Sequence, residues 1–294
     1  MDRCRGVEMR RGFFDAAPRA REPAPRTPDR RCAPRDGDYE SFAKFFGSPA
    51  WTPGEPCEQF ENILVLLHGD LDDPMNFHKF GRTVSLPTTG LWSLGGVLDA
   101  RGRAGATEEE THRRWMLSAE EGASEDARAR QLDAASSAVQ RALRVLRDRR
   151  GWDLSRVHLF GFSDGGAVAL DVATRMTGRE RLGSCAAVAA ALLRPESYEQ
   201  CDEAPTPVLL IAGTRDEVTP LARVRETAAA LVRRNHGCGA VVREFDKTHK
   251  MISTADEAKA LMEFWSRRLT FFGARASDYG DDVVEISAGA TERQ

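Results

Sequence analysis

Long hydrophobic runs are missing from this 294-residue chain. Its longest apolar stretch, residues 186–193, is far short of the roughly 20 residues that span a bilayer, so no transmembrane segment is expected. An excess of one charge is missing too. The 42 Lys and Arg against 45 Asp and Glu leave a formal net charge of -3, without the basic surplus of a nucleic-acid binder. Six cysteines (Cys4, Cys32, Cys57, Cys185, Cys201 and Cys238) are scattered, with no C-x-x-C pair and no His at ligand spacing. Neither a disulfide scaffold nor a metal site is expected, and a reducing, cytoplasmic location is the plainer reading. The amino-terminal end has no apolar core of a secretory signal. Dinucleotide and P-loop motifs are absent, so no cofactor is implied.

What is present is unevenly placed. Residues 1–35 carry ten Arg, five acids and five Pro without apolar periodicity. Such a segment cannot bury enough surface to offset its ordering entropy, so residues 1–54 are expected to form a disordered basic arm. An organelle-targeting role is the sharper alternative, although the five acids and the lack of Ser fit it poorly. Residues 273–294 read as an acidic tail. With 41% hydrophobic residues overall, the stretch between these ends (55–272) can form one sizeable core.

Within that core the periodicity alternates. Residues 63–67 (Ile-Leu-Val-Leu-Leu), 157–160, 184–190, 208–212 and 241–245 read as strands, the first four as short buried runs. Residues 126–148 repeat apolar side chains at helical spacing and stop at Gly151. Helices are also expected at 167–176 and 221–233, and after a capping box at Ser253-x-x-Asp256. Strands alternating with helices predict a doubly covered, mostly parallel α/β sheet. Residues 81–123 carry turn signals at 86–90 and 95–96 and are expected to be irregular.

The chemical signal is Gly161-Phe162-Ser163-Asp164-Gly165, directly after one predicted strand and before a helix. A serine hydroxyl is a poor nucleophile and must sit exposed on a sharp turn where a base can reach it, and flanking glycines let neighbouring backbone approach. By itself the motif is common. Its setting between strand and helix adds weight, and so do two residues further along the chain. Asp216 lies just beyond the buried strand ending at Ala212, and His249 just beyond the strand 241–245. Both stand at strand carboxyl ends, so the three side chains can converge on one edge of the sheet. Taken singly, Asp216 reads as a turn cap near Thr219-Pro220 and His249 as a solvated loop residue.

The chain resembles the phospholipase/carboxylesterase family of α/β-hydrolases, the group that includes acyl-protein thioesterases. The resemblance rests on Leu67-His68-Gly69 with Asp72 and Asn76-Phe77, on Phe160-Gly161-Phe162-Ser163-x-Gly165-Gly166, on Pro207-Val208-Leu209-Leu210 with Gly213-Thr214-Arg215-Asp216, and on His249-Lys250-Met251-Ile252 with Phe264-Trp265. It covers about residues 60–270. It implies an α/β-hydrolase fold and a Ser163–Asp216–His249 triad cleaving ester or thioester bonds of a small molecule, an acylated protein or a lysophospholipid. Oxyanion donors would be the backbone N–H groups of Asp70 and Asp164. Phe77, Trp115 and Met251, and with them Trp92 and Met116, are candidates for lining the substrate pocket. Where the family carries Gln after the nucleophile, and an apolar residue then Gly after His-Gly, this chain has Asp164, Asp70 and Leu71. Two carboxylates there would oppose a developing oxyanion unless they point away or pair with a cation, so an active but slow or unusually selective enzyme is expected. Three alternatives stay open: a catalytically impaired binding protein on the same fold, a protein tethered to an acidic surface by its basic arm, and a peptidase.

Overall fold

In the computed structural model, residues 50–52, 61–103, 112–118, 121–235 and 239–270 are described. A seven-stranded sheet runs in the order β1 (Ala50–Thr52), β3 (Thr89–Leu94), β2 (Asn62–Leu67), β6 (Val157–Phe162), β7 (Ser184–Val188), β8 (Val208–Gly213), β9 (Ala240–Phe245). All neighbours are parallel except β1, which pairs antiparallel with β3. A two-stranded hairpin, β4 (Leu98–Asp99) with β5 (Arg113–Arg114), stands apart.

Each residue of β2 is buried, as its unbroken apolar run requires of a strand covered on both faces. The period of two then divides it. Ile63, Val65 and Leu67 join one core with the apolar stripes of α2 (Glu125–Arg150), α3 (Ser163–Arg175) and α4 (Leu221–Arg234), while Leu64 and Leu66 join the other with α1 (Pro74–Val84) and α5 (Ala255–Ser266). Aromatic side chains, only 7% of the chain, concentrate in this second core. Phe160 lies 5.2 Å from Phe80, 5.9 Å from Phe77 and 5.8 Å from Trp265 between ring centroids, tying α1 and α5 to the sheet centre.

Helix ends follow local chemistry. The Ser124 side chain accepts from Ala127 N–H to open α2, and Gly151 closes it at φ 69° with its N–H on the Arg147 carbonyl. The capping box of α5 is Thr254 with Glu257, one residue later than the expected Ser253–Asp256. That register brings the Glu257 carboxylate, which burial selects over the exposed Asp256, onto the helix start.

Two expectations need correction. The stretch 81–123 is not irregular throughout: it holds the end of α1, the buried strand β3 and the β4–β5 hairpin. The turn signal at 86–90 was real, with Thr88 at φ 49°, but it ends where β3 begins. Ala50–Thr52, placed in the amino-terminal arm, form β1 in the sheet. The rest of that arm, apart from these three residues, and the acidic tail lie outside the described residues. No helix among the described residues is long and apolar enough to cross a membrane.

Phe160→Ala removes a side chain with no exposed surface from a packed aromatic cluster, and should cost about 3–5 kcal/mol. A urea unfolding midpoint that drops accordingly, with an unchanged slope, checks this.

Candidate active site

The order of strands sets where a site can form. The chain leaves β2 toward β3 on one side and returns to β6 on the other, so β2 and β6 flank the topological switch point, outside whose strand ends a crevice opens. Ser163 follows β6 there, and the Gly69-Asp70-Leu71 turn follows β2.

Ser163 sits at φ 52°, a left-handed conformation that L-residues rarely adopt. Close packing holds it. A Cβ on Gly161 would stand 2.5 Å from the Gly165 carbonyl oxygen, and one on Gly165 would stand 2.2 Å from the His68 carbonyl oxygen. The elbow and the turn after β2 therefore touch backbone to backbone, which no side chain would permit.

The other two residues arrive from β8 and β9. His249 Nδ1–H donates to Asp216 at 2.9 Å (Oδ2) and 3.0 Å (Oδ1), and Ser163 Oγ–H donates to His249 Nε2 at 2.9 Å. Asp216, its side chain fully buried, also accepts from Val218 N–H and Thr219 N–H at 2.9 and 2.8 Å. These bonds fix the carboxylate's orientation, and both its turn-capping and its imidazole-binding functions are met at once. The Phe162 ring packs 5.2 Å from that of His249. A hydroxyl, a base and an oriented carboxylate in this chain can relay a proton off Ser163. No other histidine among the described residues bonds Ser163: His78 pairs with Ser93 and His158 with Ser184. His236 lies outside the described residues.

A buried ion pair holds the His249 loop. Lys247, 7% exposed, bonds Glu257, 0% exposed, while the other Glu257 oxygen accepts from Ser253 N–H and Thr254 N–H at 2.9 Å each. The Lys247 carbonyl accepts from Arg215 N–H at 3.0 Å, linking this loop to the one that carries Asp216. Nothing in the sequence pattern pointed to this latch, because a Lys and a Glu ten residues apart normally read as surface.

The turn after β2 is clamped by the segment that read as irregular. Buried His68 donates from Nδ1–H to the Gly69 carbonyl at 2.6 Å and accepts at Nε2 from Gly96 N–H at 2.9 Å, and burial pushes it down to about 4, so it is neutral. Trp115 Nε1–H donates to the His68 carbonyl at 2.8 Å. Leu71 takes φ 53°, the conformation that glycine adopts without strain. The Asp70 N–H makes no hydrogen bond within the described residues, and Asp164 stands in the first turn of α3, where N–H groups have no intrahelical partner.

The two acids differ in fate. Asp70 takes a bidentate pair from Arg114, at 2.7 Å for each contact, and Arg114, 4% exposed, also binds Glu121. Asp164 has Arg128 at 3.8 Å, beyond hydrogen-bond reach. Burial pushes the Asp164 carboxyl up to about 6, with Arg128 opposing.

Beside Ser163 and Asp164 lies a cavity of about 120 Å³. Met116 is on its wall, but Phe77, Trp115 and Met251 are not. Phe77 belongs to the aromatic cluster under α1, Trp115 is fully buried against the β2 turn, and Met251 packs on the α5 side of the sheet. Among the described residues no group of three His, Cys, Asp or Glu could hold a metal ion.

The profile of the phospholipase/carboxylesterase family matches residues 55–258. Solved structures with the same fold include an esterase, PE8 (22% identity, 75% of this chain and 98% of that one, TM-score 0.63). A Bacillus cereus carboxylesterase (16%, 76% and 94%, TM-score 0.60) and Zea mays acyl-protein thioesterase 2 (16%, 76% and 99%, TM-score 0.56) also share it. No curated protein sequence matches.

Two stability experiments test this electrostatic description. Glu257→Ala leaves the Lys247 ammonium buried without its partner and should cost about 3–5 kcal/mol, read as a lower denaturant midpoint. For Asp164, the folded chain holds a proton that the unfolded chain releases near pH 4. Its contribution to stability therefore falls as pH rises from about 4 through 6, and a penalty of at most about 3 kcal/mol applies above that window. Asp164→Asn should raise the melting temperature at pH 8 and leave it nearly unchanged at pH 4.5. An equal effect at both would show that burial is not what perturbs this carboxyl.

Proposed function

The chain belongs to the phospholipase/carboxylesterase family, and from that premise we propose that it is a serine hydrolase cleaving carboxylic ester or thioester bonds through an acyl-enzyme on Ser163. The observation that carries the proposal is the continuous chain of 2.9 Å contacts from Ser163 Oγ through the His249 ring to Asp216.

In the acylation step His249 Nε2 takes the Ser163 proton as the oxygen attacks the acyl carbonyl. Asp216 keeps the ring's Nδ1–H directed toward itself and stabilises the imidazolium. The same proton then passes to the departing alcohol or thiol, and water repeats the relay to release the acid. The oxyanion is held by the N–H groups of Asp164, at the positive end of α3, and of Asp70. Arg114 neutralises the Asp70 carboxylate next to that charge. Asp164, pushed up to about 6, still carries most of its opposing charge at neutral pH, which makes for a slower enzyme than one with a neutral residue there.

The substrates follow in class only: small esters or acyl-thioesters, with acylated proteins or lysophospholipids as larger versions of the same bond. A fluorophosphonate probe should label the purified chain at Ser163, and short p-nitrophenyl esters or acyl-thioesters should turn over. Ser163→Ala should remove the label and lower kcat by at least about 10³-fold. Folded protein that neither labels nor turns over any ester would leave a binding role on a hydrolase fold as the reading.

A further inference from the structure

The cavity beside Ser163 is small and carries two cations. Its volume of about 120 Å³ is well below the roughly 300 Å³ at which drug-sized pockets begin, and it is partly open to solvent. A short acyl chain fits inside, and a long one would have to leave it. Met116, Ala167, Leu192 and Val218 give it apolar surface. Arg128 from α2 and Arg223 from α4 line it as well.

Both guanidiniums retain donors that the described residues do not take up. Arg128 gives Nε–H to the Leu117 carbonyl at 3.0 Å, and its Nη2 has only the Met116 sulfur and the Asp164 carboxylate, each at 3.8 Å. Its Nη1 donates to no described residue. Arg223 gives Nη2–H to the Leu193 and Leu192 carbonyls at 2.9 and 3.4 Å and Nη1–H to Glu226 at 3.3 Å, leaving Nε–H. The Glu226 pair is about half exposed on both sides and binds weakly. Among the described residues Asp164 is the one acid on the cavity wall, and Glu226 meets Arg223 from outside it.

A small recess with an apolar wall section and two guanidiniums suits a ligand that has a short aliphatic body and an anionic end. We propose that the acyl group is a short dicarboxylic acid monoester or monothioester, its free carboxylate received by Arg128 and Arg223 while its ester carbonyl meets Ser163. The inference rests on the hydrolase reading above. It adds a charge requirement that this reading does not contain. Guanidinium donors fit the planar carboxylate in two-point fashion, which a lysine would not reproduce.

The test compares monoethyl succinate with ethyl pentanoate, a neutral substrate of matching length, by ethanol release. The anionic ester should have the higher kcat/KM by about tenfold or more, as expected for one charge-assisted hydrogen bond. Arg128→Gln and Arg223→Gln should each bring the ratio of the two values toward one, chiefly through KM for the monoester, and Arg223→Lys should keep part of it. As a measurement independent of turnover, succinate should slow fluorophosphonate labelling of Ser163 in the parent protein more than butyrate does, and lose that advantage in the two Gln variants. Ethyl pentanoate turned over as well as or better than monoethyl succinate overturns the charge requirement while the hydrolase reading stands. A preference that survives both Gln variants overturns the assignment to these residues. Absence of labelling and of all turnover overturns the hydrolase reading and this inference with it.

Discussion

A serine held in a left-handed conformation between two touching turns is the constraint on which the rest of this structure depends. At φ 52° Ser163 is strained by about 1–2 kcal/mol, and nothing in its own side chain offsets that. The compensation comes from packing: Gly165 admits the backbone of the β2 turn, and Gly161 the carbonyl of Gly165, to distances that would put a Cβ inside a carbonyl oxygen. The same contact brings the Gly69 backbone to the elbow, since a Cβ there would lie 3.8 Å from that of Ser163. Exposure of the hydroxyl and proximity of the Asp70 N–H are thus one steric event rather than two. The parallel pairing of β2 with β6 makes that event possible, because it sets both turns at the same edge of the sheet.

Charge at this edge is arranged by side chains that composition would place on the surface. Arg113 and Arg114 are 1% and 3% exposed, and the first binds the Gly96 carbonyl at 2.5 Å while the second binds Asp70 and Glu121. Together with the Gly96 bond to His68, they fasten the β4–β5 excursion over the Gly69-Asp70-Leu71 turn. An acid at position 70 is therefore tolerated through its partner, not through its direction. Asp164 is handled differently. Its nearest cation stops at 3.8 Å, so burial outweighs pairing and the carboxyl is driven toward its neutral form. Leu71 follows a third course, keeping the backbone shape of a glycine at the expense of strain.

How much of this the sequence disclosed depends on whether each signal was local. The run 63–67, the helix stopping at Gly151 and the strand–elbow–helix around Ser163 are dictated by neighbours a few residues away; the first two match within a residue or two, while the helix after the elbow begins at Ser163, four residues before the expected 167. Asp216 and His249 could be placed because each comes after a strand, β8 buried and β9 at the sheet edge, whose carboxyl end lies on the same edge. Strand β3 escaped notice because Pro87, Thr88 and Gly90 signal a turn whose end overlaps the strand's first residues, and its burial comes from β1 and β2, far away in sequence. The pocket was misassigned for a related reason. Phe77 and Trp115 are large apolar residues near the site in sequence, yet their rings complete the core, while the cavity takes its character from Arg128 and Arg223, which helical periodicity assigns to a solvated face.

The division has a physical basis. Groups that act on the reacting atoms must be fixed by backbone geometry, so they sit at strand ends with glycines and caps beside them, and those leave marks in sequence. Groups that only line a cavity need only reach it, and long side chains from α2 and α4 do so without a local requirement on the backbone. Family resemblance is accordingly concentrated in the elbow, the acid and the base. The buried arginine pair, Asp164 and the two cavity guanidiniums lie on elements whose backbone would be the same with other side chains. Changing what such an enzyme accepts would then require substitutions in those elements and none in the strand-end turns that hold Ser163, Asp216 and His249.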